Sequence, residues 1–244
     1  MTTIAALSLL AGCTKDENAH STAPTPPEAQ TQPPAQTSNP TPNSNPTPTQ
    51  AALPATTAAA PAGHFMQEAR DGKDLYATIE TSMGTIVAQL QPKDAPIAVE
   101  NFVGLATGEK EWTTPQGEHV HKPLYDGTLF HRVIPGFMIQ GGDPMGTGRG
   151  GPGFTIPDDF PNQHGLHFLK GTLGMARTSM PNSGGCQFFI DVAPAPNLDN
   201  GYTIFGHVLS GQDVADKISQ VPRGAMDRPI TDVKINKITI SDKR

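Results

Sequence analysis

Two stretches of the chain alternate apolar and polar residues with period two: Leu75-Tyr76-Ala77-Thr78-Ile79-Glu80-Thr81 and Gly84-Thr85-Ile86-Val87-Ala88-Gln89-Leu90. That period sends successive side chains to opposite faces of a strand, and Ser82-Met83-Gly84 between them reads as a hairpin turn. Pro92 ends the second strand, and Asp94 is placed to cap a helix. Val99, Phe102, Val103 and Ala106 then fall at i, i+3, i+4 and i+7, a helical stripe that stops at Gly108. A shorter helix is predicted around Val214, Ala215 and Ile218, with Asp213 early in it. Further strands are predicted over Thr128–Val133, Phe137–Gln140, Thr172–Arg177, Cys186–Asp191, Ile204–Val208 and Lys234–Ile240. Glu109–Gly127 reads as a long loop. Many short strands, glycine and proline turns and two helices predict a closed or nearly closed β structure.

Composition divides the 244 residues sharply. No Phe, Tyr or Trp precedes Phe65, and 11 of the 25 prolines lie between Thr14 and Ala62. Such a segment cannot bury enough apolar surface to offset the entropy of ordering, so a disordered, partly polyproline-II tether rich in Pro, Thr and Ala is predicted there. Its reach is on the order of 40 Å as a coil and about 150 Å if fully polyproline-II. Residues 65–244 suffice for one well-packed domain. The net charge is −6. Lys15, Asp16, Glu17 and Glu28 account for −2 of it, which leaves −4 on the folded part. Without a basic stripe, nucleic-acid binding is not expected, and Lys234-Ile235-Asn236-Lys237 reads as the solvated face of a strand.

The two cysteines differ. Cys186 lies in a strand pattern and is expected to be a small buried core residue. Cys13 follows the apolar run Ile4–Leu10 and closes Leu10-Ala11-Gly12-Cys13, which resembles the lipobox of bacterial lipoproteins. That resemblance implies a signal peptide over 1–12, acylation of Cys13 as the mature N-terminus, and a linker over 13–64. The apolar run is far too short to span a bilayer. Residues 1–12 carry no Lys or Arg, so the basic start of such a signal is expected upstream. A disulfide between Cys13 and Cys186 is not expected.

The most specific stretch is Phe130-His131-Arg132-Val133-Ile134-Pro135-Gly136-Phe137-Met138-Ile139-Gln140-Gly141-Gly142-Asp143, joined about fifty residues later by Gln187-Phe188-Phe189-Ile190. Together they strongly resemble the cyclophilin family of peptidyl-prolyl cis-trans isomerases. The resemblance implies an eight-stranded antiparallel closed barrel capped by two helices, and the long loop Glu109–Gly127 looks like the bacterial version. It implies that Arg132 donates a hydrogen bond to the proline nitrogen, that Phe137, Met138, Phe189 and Leu198 form an apolar socket for the proline ring, and that Gln140 holds the substrate carbonyl and positions Arg132. Gly174-Met175-Ala176-Arg177-Thr178 matches the family's substrate-groove strand, with Arg177 where eukaryotic members usually carry Asn. Gln187 matches another groove residue. Tyr202 stands where the best-known members have His. Asn197 stands where a Trp or Phe helps bind cyclosporin, so weak cyclosporin binding is expected. His131, on the other face of its strand by alternation, is read as structural.

The chemistry needs no cofactor and no metal. An X-Pro bond turns slowly behind a barrier of roughly 18–20 kcal/mol, and speeding it by about four decades takes on the order of 5.5 kcal/mol of transition-state preference. Gly146-Thr147-Gly148-Arg149-Gly150-Gly151 satisfies a dinucleotide pattern, but Pro152-Gly153 follows it instead of a helix, so it reads as a loop. His119 with His121, and His164 with His167, read as loop histidines without a carboxylate set at ligand spacing. The predicted function is prolyl isomerisation on unfolded or flexible polypeptides by a monomer. It would be tethered in the bacterial cell envelope through Cys13, facing the periplasm. Thr14 in place of Asp after that Cys favours the outer membrane. Two rivals are a non-catalytic module that binds proline peptides on the same scaffold, and a proline-rich wall-spacing lipoprotein, which leaves the domain unaccounted for.

Overall fold

Strict alternation becomes a hairpin: β1 (Leu75–Thr81) pairs with β2 (Gly84–Leu90) from Leu75↔Leu90 to Thr81↔Gly84. Leu75, Ala77, Ile79, Ile86 and Ala88 of this pair have no exposed surface. The computed structural model describes residues 63–160, 163 and 165–243. The signal segment, Cys13, the Pro-rich linker and His164 therefore lie outside the described residues.

The helical stripe becomes α2 (Pro96–Thr107), closed by Gly108 at φ 80°, the left-handed backbone that glycine adopts without strain. Asp94 does not cap it. The N-terminal amide of Ala98 instead donates to Asp159 Oδ2 at 2.8 Å, a cap borrowed from 61 residues downstream. A seven-residue helix not foreseen from the sequence, α1 (His64–Arg70), precedes β1. Glu109 accepts from the amides of Phe65 and Met66 at its start, at 3.2 and 2.8 Å. A single helical turn or two is too short to show a period, and its cap comes from another element.

The remaining elements are β3 (Trp112–Thr113) and β4 (His119–Val120), then β5 (Leu129–Ile134), β6 (Met138–Asp143), β7 (Thr172–Met175), β8 (Phe188–Asp191), β9 (Ile204–Ser210), α3 (Gln212–Ser219) and β10 (Ile235–Ser241). The predicted long loop thus contains a small hairpin, which brings Glu111 to both His119 (2.9 Å) and His121 (3.7 Å). One carboxylate thus stands beside that pair, brought there by the hairpin. No described helix is long and apolar enough to cross a membrane.

Eight strands form one antiparallel sheet in the order β10-β1-β2-β9-β7-β8-β6-β5. The sheet curls but does not close, and three α-helices accompany it, so the expected closed barrel with two helices is corrected on both counts. The end strands meet at one isolated bridge, Leu129↔Lys234, flanked by Phe130 N→Val233 O (2.9 Å) and Ile235 N→Thr128 O (2.8 Å). β5 carries register shifts against β6 on both sides of Phe130, and such bulges bend a strand. One bridge replaces a ladder.

Inside the curl, Phe102 meets Tyr125, Phe188 and Phe205 with ring centroids 5.1–5.5 Å apart. Tyr125 donates to the carbonyl of Cys186 at 3.1 Å, and burial pushes its hydroxyl well above the usual range. Cys186 is 1% exposed and joins this core, as its strand pattern predicts.

Candidate active site

Register assembles the site before any side chain is considered. Arg132 of β5 lies opposite Gln140 of β6, Gln140 opposite Phe189 of β8, and Phe189 opposite Gly174 of β7. Directly opposed residues share a face, so one row across four strands carries a guanidinium, an amide, a phenyl ring and a gap. The face is the outer one. Phe188 and Ile190 point into the core, while Phe189 between them joins a second apolar cluster with Met138, Phe168, Ala195 and Ile204.

The bulge in β5 is what frees Arg132. Simple alternation would put Phe130 and Arg132 on one face, yet Phe130 is 1% exposed in the core and the Arg132 side chain is 42% exposed outside. The extra residue is His131, buried with both ring nitrogens unpartnered among the described residues. Burial lowers its pKa, opposed by the nearby Asp143 carboxylate. It is a neutral filler beneath the following loop, in agreement with its structural reading.

The outer cluster forms a cup of about 110 Å³ lined by Phe137, Met138, Phe189, Leu198, Tyr202 and Ala176, with Arg132, Gln140 and Arg177 around it. Phe189 is wedged between Phe168 (5.6 Å, stacked) and Tyr202 (5.9 Å, edge-on). It lies flat against β7 because residue 174 is glycine: a Cβ there would come within 2.2 Å of Phe189 Cζ. Asp199 ties the walls together by accepting from Phe168 N at 2.8 Å and pairing with His167 at 2.7 Å.

The polar rim is a relay. Gln140 Oε1 accepts from Arg132 at 3.4 Å, Gln140 Nε2 donates to Gln187 Oε1 at 3.0 Å, and Gln187 Nε2 donates to the Gly150 carbonyl at 2.9 Å. Gly150 is itself held by Asp143, whose carboxylate accepts from the amides of Met145, Thr147, Gly148 and Gly150 at 2.6–3.0 Å. Burial pushes the Asp143 carboxyl up, but those four amides outweigh it and the net shift is downward. The other side of Arg132 faces Asp227 Oδ2 at 3.8 Å. Met226 and Asp227 both have left-handed backbone (φ 59° and 57°), a conformation that costs Met more than Asp, which is among the non-glycine residues that adopt it most readily.

All ten site residues predicted within the described part border this cup or its rim: Arg132, Gln140, Phe137, Met138, Ala176, Arg177, Gln187, Phe189, Leu198 and Tyr202. Cys13 lies outside the described residues. Phe168 and Asp227 were not foreseen. Phe168 sits in a loop without periodicity, and nothing in the sequence signals the backbone that delivers Asp227. No group of three or more His, Cys, Asp or Glu able to hold a metal occurs among the described residues.

A fixed cationic fork beside an apolar cup suits one kind of work. A twisted amide nitrogen regains its lone pair and becomes an acceptor, which a planar amide nitrogen is not. A guanidinium at the rim can bind that twisted state better than either planar one.

Comparison with known proteins agrees with this geometry. Residues 76–240 match the family described as cyclophilin type peptidyl-prolyl cis-trans isomerase/CLD. Peptidyl-prolyl cis-trans isomerase B of Streptomyces anulatus is 45% identical over 175 residues, which cover 70% of this chain and 99% of that protein. Peptidyl-prolyl cis-trans isomerase A of Mycobacterium tuberculosis is 46% identical over 173 residues, 68% of this chain and 91% of that one. A crystal structure of a Cryptosporidium parvum cyclophilin type isomerase is similar with a TM-score of 0.60 and 31% identity, covering 70% of this chain and 99% of its own. A second crystal structure of that isomerase, in the presence of the dipeptide Ala-Pro, covers 68% of this chain and 98% of its own, with a TM-score of 0.58 and 33% identity. Fold, match and the row from Arg132 to Gly174 converge, and the chain belongs to the cyclophilin-type peptidyl-prolyl cis-trans isomerases.

Proposed function

We propose that this isomerase turns X-Pro bonds of unfolded or flexible polypeptides in a bacterial cell envelope, with Arg132 as the catalytic donor. The proline ring enters the cup between Phe189, Met138 and Leu198. Gln140 holds the peptide carbonyl and keeps the Arg132 fork in plane. As the bond twists, the guanidinium donates to the nitrogen and stabilises the midpoint of the rotation. The observation that carries this reading is the position of Arg132, on the rim of an apolar cup and braced by Gln140 on one side and Asp227 on the other. The non-catalytic alternative is not favoured, because binding a proline peptide alone does not require the arginine.

Exchange of a proline peptide followed by NMR, without a coupled protease, tests the role. Arg132→Ala should lose roughly 100- to 1000-fold in kcat/KM, the range for removing one preorganised donor, while the fold survives. Catalysis by Arg132→Ala equal to wild type overturns it. Tyr202 and Asn197 accompany a proposed weak affinity for cyclosporin.

The cellular setting rests on Leu10-Ala11-Gly12-Cys13 and the proline-rich stretch after it. In this proposal residues 1–12 are removed, Cys13 carries the lipid, and residues 13–64 tether a monomeric domain on the periplasmic side, in the outer membrane in preference to the inner. Expression of the full chain with an alkyne fatty acid checks it: wild type should be labelled and sediment with membranes, and Cys13→Ala should do neither.

A further inference from the structure

A cavity of about 430 Å³ adjoins the proline cup and shares Gln140, Ala176 and Arg177 with it. Its floor includes Gly150, Gly151 and Gly185, which leave it wide, and Thr155, Thr178 and Ser183 stand around it. No Asp or Glu lines it, whereas Arg149 and Arg177 do. This is unusual within this molecule, whose net charge is −6. Six arginines lie among the described residues. Arg70, Arg132, Arg223 and Arg228 each pair with a carboxylate. The two without a carboxylate partner among the described residues are the two that border this cavity.

They are held differently. Arg177 is fixed: its Nε and Nη2 donate to the Gly201 carbonyl, its Nη1 to the carbonyls of Thr178 and Met180, and its plane lies 5.4 Å from the Phe160 ring and 5.0 Å from the Tyr202 ring. Carbonyls and ring faces orient the guanidinium and leave its charge uncancelled. Arg149 is exposed, on the loop that Asp143 organises. Asp143, the carboxylate that organises that loop, has no exposed surface and spends its oxygens on backbone amides.

Resting on the isomerase reading of the adjoining cup, we propose that this second cavity selects substrates by charge: it receives a carboxylate side chain, Asp or Glu, a few residues from the proline in the same polypeptide. An extended chain advances about 3.3 Å per residue, so a peptide whose proline sits in the cup passes a neighbouring side chain over the shared wall. Arg177 supplies a fixed field and Arg149 closes on the carboxylate. Opposite charge steers encounter and rejects the wrong partner.

The experiment uses the full chain and a peptide series with one proline. Alanine is replaced by Glu or by Lys at each position from three before the proline to three after it, and kcat/KM is read by NMR exchange. At one position at least, Glu should exceed Ala by about three- to tenfold and Lys should fall below Ala, in line with two solvent-screened ion pairs. Raising salt to about 0.5 M should shrink the difference, and Arg149→Glu, which sets a negative charge against Arg177, should abolish it. Arg149→Gln, which removes one of the two charges, should narrow the gap between the Glu and Lys peptides without closing it. Catalysis of every peptide at one rate, or a preference that ignores both Arg149 variants, overturns the proposal and leaves the isomerase reading intact. Failure to catalyse even the alanine peptide overturns that reading itself.

Discussion

The two faces of β8 hold two apolar clusters built from neighbouring residues, and they are made for opposite ends. Phe188 turns inward to Phe102, Tyr125 and Phe130, with no exposed surface. Phe189 turns outward to Phe168 and Tyr202, 5% exposed at the wall of the cup. The inner cluster is surrounded by strands and helices, and none of Phe102, Tyr125, Phe130, Phe188 and Phe205 is more than 1% exposed. The outer one is closed by loops, chiefly the segment around Phe168 and the turn Pro196–Leu198, and it keeps a cavity of about 110 Å³. Burial in the first stabilises the fold. Burial in the second shapes a socket and leaves part of the apolar surface for a substrate to cover.

The sharpest way to break this comparison is to truncate the two phenyl rings in turn. Phe188→Ala should cost about 3–5 kcal/mol and lower the melting temperature by roughly 10 °C. Phe189→Ala should cost about half as much, because its site can relax toward solvent, yet it should lose most of the isomerase rate. Calorimetry and peptide exchange on both variants decide it, and equal thermal losses would mean the faces are one core. Next comes the gap that seats the outer ring. Gly174→Ala places a methyl where Phe189 lies, so the ring must tilt into the cup. A fall of about tenfold in kcat/KM with about 1–2 kcal/mol of destabilisation is expected. Unchanged kinetics would show that the cup tolerates a displaced ring.

The pleat that separates the faces was legible in the sequence. The strand over Cys186–Asp191 was legible as a strand, Phe189 was assigned to the socket by family resemblance, and the hairpin and α2 were set by local period. What was not legible came from pairs of residues far apart in the chain. The cap of α2 is Asp159 and not Asp94, α1 starts on Glu109, and Phe168 reaches the cup from an aperiodic loop. The bulge at His131, which reverses the facing of Arg132 relative to Phe130, leaves no mark in a pattern of apolar and polar letters.

A smaller effect concerns the end of β8. Asp191 has no exposed surface and both carboxylate oxygens lack a hydrogen-bond partner among the described residues. Burial pushes its carboxyl up to about 8. A folded-state pKa above the unfolded one contributes stability that is complete below about pH 4 and lost as pH rises through about 8. The slope is at most about 1.4 kcal/mol per pH unit. Asp191→Asn should flatten that descent in denaturant titrations between pH 4 and 8. Parallel curves for the two proteins would show that the acid is not held protonated. The smallest effect is expected at the rim: Asp227→Asn should lower kcat/KM about two- to threefold through a looser Arg132, as suits a half-exposed pair at 3.8 Å, with the melting temperature unmoved. A matching loss of stability would instead assign Asp227 to its own loop.

The single bridge between β5 and β10 has a mechanical consequence. β6, β8 and β7 each have laddered neighbours on both sides, so the walls they carry are stiff. β5 is laddered on one side only, and fewer backbone bonds mean cheaper local opening. The donor therefore sits at the margin of the sheet, where side-chain contacts with Gln140 and Asp227 do the holding that a second ladder would do, while the receptacle is clamped at its centre.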